Sequence, residues 1–362
     1  MRGITLMKFY EPERLMVLNM SKTILYTAII ILVLMAGTAT TEPQKTDPQV
    51  TICDVLDNKK AIMTFTSDDG LYNSVVKYNE IFKKYNIKGT IAVNTSTVTG
   101  ENNVKITSTW QQWRDLLKDN RLDIANHTHS HTRIPDADNA KLEYEINDAQ
   151  RELKQELPGQ QIICMCNPFV SKSDKTDEVI KQNHYSARNG ERGYNSLSPN
   201  ANEWYRLNYQ YVVSNTKEQD MNKWVDSAIK NNKWLIEVWH GIDGDDWEPS
   251  TYEICDEHMK YAVGKKELWI ATLSDVTKYI QERQDASIEI KKNDNNLALK
   301  VTHTLNPEIF NHPLTVKIAI DNNIKSAVAM QNGNLIDCRI EDNGLFLNVV
   351  PSKDKILIRL LQ

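Results

Sequence analysis

The sequence predicts an α/β domain followed by a small all-β module, on three observations. From about residue 60, short β-rich runs alternate with stretches of helical periodicity, the pattern of parallel strands joined by helices. After Gln284 the helical periods stop, and alternating apolar and polar residues are punctuated by Asn, Asp and Gly turns. Ahead of both lies an apolar run, about Ile24 to Gly37, that fits neither pattern. At 362 residues the chain has room for one large core and one small one.

The N-terminal run follows Met20 and Lys22 and closes on small residues near Ala39, the layout of a cleaved export signal. It is short for a membrane span, and an uncleaved anchor is the alternative. Residues 1–19 carry charges without a hydrophobic period and read as an upstream extension, so 1–40 are set apart as signal or anchor and 41–57 as a linker with a leading strand. The expected location is outside the cytoplasm: periplasmic, extracellular or at the cell surface, without stable membrane insertion once the signal is removed. A formal charge of -5, with 25% charged and 40% hydrophobic residues, offers no basic tract for nucleic acid. The five cysteines are too few and scattered for a disulfide framework. Cys164 and Cys166 stand two apart in an apolar run, with no second Cys or His pair at zinc-site spacing, so burial is their expected role.

Taken in order, "KKAIMTFTS" reads as a strand, and Val75, Tyr78, Phe82 and Tyr85 then recur at helical spacing up to the stop at Gly89. "GTIAVNT" is the next strand, "STWQQWRDLLKDNR" a capped helix, "LDIAN" a strand, "DADNAKLEYEINDAQRELKQEL" one long helix and "QIICMCNPF" a further strand. The alternation continues through "NKWVDSAIKNN", "KWLIEVWHG", "YEICDEHMKYAVGKK", "LWIATL" and "LSDVTKYIQERQ", a number of units that favours a barrel or a wound sheet. Beyond Gln284, Asn332-Gly333 and Asn343-Gly344 are hairpin signals in a small antiparallel β-sandwich, a module of a size that needs support from a neighbour.

In strand-helix proteins ligands bind beyond the carboxyl ends of the strands. "SDDG" at 67–70, "HTHSH" at 127–131, "NPF" at 167–169 and "VWHG" at 238–241 all fall at such ends and so gather on one rim. His127 and His131, four apart in a loop, can converge on one ion, and an Asp with two His leaves open coordination positions, as a catalytic metal requires. His129, between them, is expected to be exposed or a supporting donor. Trp204, Tyr205, Trp239 and Trp247 are candidates for stacking on sugar rings, with core packing the commoner role for each alone. "DGDDW" at 243–247 lacks the spacing of a calcium loop and reads as an acidic rim loop.

Thr66, Ser67, Asp68, Asp69 and Gly70, then His127, Thr128 and His131, resemble the first two motifs of the polysaccharide deacetylases of the NodB-homology type, with Ser67 in place of the family's aromatic residue. The resemblance covers roughly residues 58–283 and leaves out the C-terminal module. It implies a distorted (β/α) barrel over 58–284, while the β-sandwich module at 285–362 rests on its own alternating pattern and turns. It further implies that Asp69, His127 and His131 hold a divalent metal, Zn2+ first, with Co2+, Ni2+ or Mn2+ also compatible. Asp68 would be the general base, His240 of "LIEVWHG" the general acid, and a backbone N-H near Phe169 an oxyanion donor. The implied reaction is hydrolytic deacetylation of an acetylated glycan, N-acetylhexosamine polymers ahead of O-acetyl xylan types. Cys166 stands where the family carries an arginine paired with the catalytic aspartate, and Arg188, expected at a neighbouring strand end, is the candidate to supply that charge. Without such a cation, the alternative is a carbohydrate-binding protein that keeps the metal pocket with weakened catalysis. No counterpart of the family's fourth motif is located, and oligomeric state is left open.

Overall fold

The computed structural model describes residues 47–99, 107–135, 137–170, 172–244 and 247–362; the export signal or anchor expected at 1–40 lies outside them. Among the described residues, no helix is long and apolar enough to cross a membrane.

Eight parallel strands make the first sheet: β2 (Ala61–Ser67), β3 (Gly89–Val93), β4 (Leu122–Asn126), β5 (Cys164–Cys166), β6 (Ser186–Arg192), β7 (Leu207–Tyr211), β8 (Trp234–Trp239) and β9 (Leu268–Ile270). The sheet curls from β3 through β8 to β2. There Ala61, Ile62 and Met63 pair with β9, while Thr66 and Ser67 pair with β3 and close the ring. The closure is thus two residues long and lies at the carboxyl end of β2, which makes the barrel the distorted one the motifs implied. β2 is buried along its whole length, as a strand covered on both faces must be. Met63, Phe65, Ile91, Val93, Ile124 and Leu235 share the outer core with the helices. Those helices are α1 (Tyr72–Tyr85), α2 (Trp110–Leu116), α3 (Asn139–Leu142, Glu143–Asp148 and Ala149–Glu156), α4 (Asp174–Ile180), α5 (Glu218–Asn231), α6 (Tyr252–Val263) and α7 (Leu273–Asp285). The capping box of α2 is formed by Thr109 and Gln112. The long helix expected at 136–157 is interrupted, because Glu143–Asp148 winds as a π-helical stretch.

The sandwich is real but recruits a strand from the other end. One sheet orders β1 (Val50–Ile52), β12 (Leu314–Ala319), β16 (Gly344–Val349) and β15 (Cys338–Glu341). The other orders β10 (Ser287–Asn293), β11 (Asn296–Thr302), β17 (Ile356–Leu361), β13 (Ser326–Gln331) and β14 (Asn334–Ile336). The leading strand expected before the barrel therefore belongs to the sandwich, where Val50 faces Ile318 in antiparallel register. Asn332 and Gly333 form the expected two-residue turn, both with positive φ. At the second signal the turn residues are Asp342 and Asn343, with Gly344 already paired to Glu341. Barrel and sandwich share one apolar core: Trp269 and Tyr279 lie in the same buried cluster as Val316, Leu347 and Ile358. The Tyr279 hydroxyl donates to Cys53 O at 2.8 Å, and the Tyr185 and Phe310 rings meet edge-on at 4.9 Å. This is the support the small module requires.

Candidate functional site

The functional side chains other than Arg188 follow the ends of strands. Ile62 and Thr64 of β2 face the barrel interior, where Trp234 Nε1 donates to Thr64 Oγ1 at 2.9 Å. Asp68 follows in the same parity, anchored by its N-H to Trp239 O at 2.9 Å. In a regular strand Asp69 would leave on the opposite face. Instead Asp69 and Gly70 adopt φ of 70° and 61°, a left-handed bend that Asp tolerates and Gly adopts freely. A Cβ on Gly70 would lie 3.3 Å from Val93 Cα, so the close approach to β3 also favours glycine. Asn94, just past β3, donates to Asp69 O at 3.4 Å.

The histidine loop is tied down on every side. Asn126 Oδ1 accepts the Thr128 N-H at 2.8 Å, and Thr128 and His131 take positive φ of 66° and 52°. The His129 N-H donates to Glu145 O at 2.9 Å, and Asn126 Nδ2 donates to Ile146 O at 2.9 Å. Both acceptors lie in the π-helical stretch of α3. The Glu145 carboxylate accepts the Ser130 N-H at 2.8 Å and pairs with Lys141 at 2.6 Å. Burial raises its pKa, but Lys141 and Ser130 outweigh that and leave it below the usual range.

The loop brings His127 Nε2 to 3.4 Å and His131 Nε2 to 3.0 Å from Asp69 Oδ1. One ligand atom from each of the three residues falls within 4.8 Å of the other two. His127 Nδ1 lies 2.6 Å from Cys166 O, which can only accept, so the ring proton sits on Nδ1 in neutral imidazole and Nε2 presents a lone pair. Asp69 Oδ1 and His127 Nε2 are both buried without a hydrogen-bond partner. Two lone-pair atoms facing each other in a buried site call for a cation between them, and the donor set of one carboxylate and two imidazoles suits a divalent transition metal. The same charges tune the groups: burial raises the Asp69 carboxyl, but His127 and His131 pull it far below the usual range. Burial depresses His127, but Asp68 and Asp69 leave it raised overall.

Asp68 is paired to Arg188, whose Nη2 lies 2.7 and 2.6 Å from the two carboxylate oxygens, with both side chains buried. Arg188 lies within β6, and its register partner across the sheet is Cys166. The positive charge thus enters from the strand next to the one that carries Cys166. His240 follows β8, whose pairing sets Ser67 opposite Trp239, so Asp68 and His240 leave neighbouring strands at the same level. Its ring packs against Tyr211 at 5.4 Å and Trp247 at 5.0 Å. Burial lowers its pKa, and the opposing pull of Asp68 and Asp69 does not restore it.

The family model described as polysaccharide deacetylase matches residues 56–187, which run from the approach to β2 into β6. Over that segment, about a third of the chain, the sequence is similar to the polysaccharide deacetylases. A gellan lyase of Bacillus sp. is 24% identical over 332 residues, covering 83% of this chain and 13% of that protein's own length. The fold is also similar to a family 4 carbohydrate esterase from Streptomyces lividans, solved with acetate, at 14% identity and TM-score 0.41 over 58% of this chain and 91% of that one. A family 4 pseudoenzyme from Bacillus anthracis is similar at 12% identity and TM-score 0.42, over 61% of this chain and 66% of that one.

Some expectations for the site need correction. His129 is not exposed: it is buried, with Nδ1 2.6 Å from Thr95 Oγ1 and its ring edge-on to Tyr144 at 4.7 Å. Trp239 and Trp204 are core residues, the former stacked on Phe65 at 5.4 Å, and only Trp247, 57% exposed, stands at the rim. Phe169 takes a positive φ of 54° and lays its ring 4.6 Å from that of His131, so it walls the site with its side chain as well as its backbone. All five cysteines are free, four of them buried, in keeping with a packing role. In the acidic rim loop Asp243 pairs with Lys77 at 3.2 Å, and Asp245 and Asp246 lie outside the described residues. The Cys166 carbonyl, Glu145, Asn94 and Tyr211 escape motif reading: the first three act through or upon backbone atoms, and Tyr211 comes from a segment with no pattern of its own.

Proposed function

We propose that the protein is a metal-dependent hydrolase that removes acetyl groups from a polysaccharide or oligosaccharide, N-acetylhexosamine glycans ahead of O-acetyl xylan types. The observation that carries this reading is the pairing of two halves in one partly buried site: an Asp69–His127–His131 donor set, and beside it an Asp68 carboxylate held by Arg188. Asp69, His127 and His131 would hold the divalent cation, which supplies Lewis acidity toward the acetyl carbonyl and toward water. Asp68 would receive the proton released by the attacking water. Its oxygens are fixed by Arg188, so it approaches from one direction. His240, on the neighbouring strand end, would give a proton to the departing sugar nitrogen or oxygen. Tyr211 and Trp247 exclude solvent from its ring and offer a face to the sugar. An N-H beside Phe169 would add hydrogen bonding to the developing oxyanion, a kind of contact worth about 3 kcal/mol. Zinc is the first metal to test, and we take the enzyme to act outside the cytoplasm, in keeping with the export signal read in residues 20–40.

The test is acetate release by purified protein after metal removal and add-back, on chitooligosaccharide, peptidoglycan and acetylated xylan. Asp69→Ala and His131→Ala should lose both metal and acetate release, while Asp68→Asn should keep metal and lose turnover. Full turnover in Asp68→Asn would overturn the assignment of the base.

A further inference from the structure

A second opening lies at the far end of the barrel from the donor set. It is a cavity of ≈ 600 Å³ lined by Lys154, Gln160, Lys181, Gln182, Asn183 and Tyr205, with Ile309 of the sandwich as a further wall. Ile162 and Ile163 on its wall lead into β5, and His184 and Tyr185 lead into β6, so it sits where those strands begin, whereas Asp68 and the histidines sit where strands end. The volume is in the range of small-ligand sites.

Its lining is one-sided in chemistry. The charged residues are Lys154 and Lys181, and no carboxylate side chain is among the lining residues. His184 adds no charge near neutrality, since burial lowers its pKa to about 4. Several lining amides are pinned by other groups: Gln161 Nε2 donates to Glu308 O of the sandwich at 2.6 Å, and Asn147 links Asn183 at 2.8 Å to Gln182 at 3.2 Å. The pinning leaves Gln182 Nε2 and both ends of Gln160 as donors and acceptor for a guest, beside two ammonium groups. The Lys181 ammonium lies 5.1 Å from the Tyr205 ring centroid, which holds that charge at the cavity. The sandwich completes the wall through Ile309, and the Gln161–Glu308 bond and the Tyr185–Phe310 contact hold it there.

We infer that this cavity is a second saccharide site, separate from the acetyl-removing centre, for an oligosaccharide that carries carboxylates, and that completing it is a role of the sandwich. Amide side chains match the paired donor and acceptor character of sugar hydroxyls, and the lysines match carboxylates. The site goes beyond the deacetylase reading and is tested by binding alone, so either can fail without the other.

The experiment titrates the full chain by calorimetry with oligogalacturonate and, in parallel, with xylo-oligosaccharide of equal length. Oligogalacturonate should bind more tightly than the neutral chain and more weakly at high salt. Its affinity should fall ~10-fold or more in the Lys154→Gln/Lys181→Gln double variant. Both lysines are exposed, so that variant should fold normally. Binding should persist in Asp69→Ala, which disables the other centre. Absence of binding, equal affinity for the neutral chain, an unchanged double variant, or loss of binding in Asp69→Ala would each overturn the proposal.

Discussion

At the scale of residues, the informative side chain is Arg188. A buried Asp68 without a cation would be an uncompensated charge, and removing one partner of such a pair costs about 3–5 kcal/mol. Arg188→Met is therefore expected to lower stability by that order and turnover by at least about 100-fold, while metal stays bound. Adding Cys166→Arg to that variant should recover part of the turnover, because Cys166 lies opposite Arg188 across the sheet and can offer a guanidinium to the same carboxylate. Full turnover in Arg188→Met, read by acetate release alongside metal content, would show that the pair is structural only. A second residue sets a pH limit. His184 is buried among Gln150, Asn126 and the Ile180 carbonyl, and its pKa is lowered from 6.5 to about 4. Between those values the unfolded chain binds the extra proton and the folded chain does not, so stability falls as pH drops from 6.5 toward 4, by up to about 3 kcal/mol. Urea midpoints across that range should shift in the wild type and flatten in His184→Asn.

At the scale of elements, the π-helical stretch of α3 does what no catalytic motif does. It aims the Glu145 and Ile146 carbonyls and the Glu145 carboxylate at the loop that carries His127 and His131. Glu145→Ala should weaken metal affinity about 10- to 100-fold, measured by competition with a chelating dye, with no ligand altered. This stretch was invisible in the sequence, because apolar spacing is helical across it and one wide turn barely shifts the phase. β2, β3, β4 and β8 were legible because their apolar runs end in abrupt polar clusters: Asp68-Asp69, Asn94, His127 and His240. β6 and β7 were not. "SARNGER" and "LNYQY" line the interior beneath the site, and a strand that serves a polar centre carries Ser, Arg, Asn and Gly in place of an apolar signature. That is also why Arg188 could be expected at a strand end beside Cys166, while the bounds of the strand that carries it could not be drawn.

At the scale of the whole molecule, barrel and sandwich are not separable parts. Trp269 and Tyr279 of the barrel are buried in a cluster that continues into the sandwich, and β1 precedes the barrel in sequence yet pairs beyond it. Truncation after Gln284 should strip the cover from α7 and leave β1 without its partner, giving an aggregating barrel. The region 47–362 should unfold in urea as one transition, and a soluble, cooperatively folded barrel from the truncated chain would contradict the shared core. The sandwich could be foreseen from its turns, but the origin of β1 could not, because an edge strand of three residues bears no mark of which sheet it joins.

The placement of β1 also fixes where a pull on the chain is felt. If residues upstream of 47 are held at a surface, tension enters the described body at Asp47, whose carboxylate accepts the Lys292 N-H, and passes along β1 into its pairing with β12. The strain falls first on the edge of the sandwich, along its antiparallel ladder, before it can reach β2 and the paired aspartates at its end. The barrel hangs behind a mechanical buffer made from the sandwich strands that pair with β1.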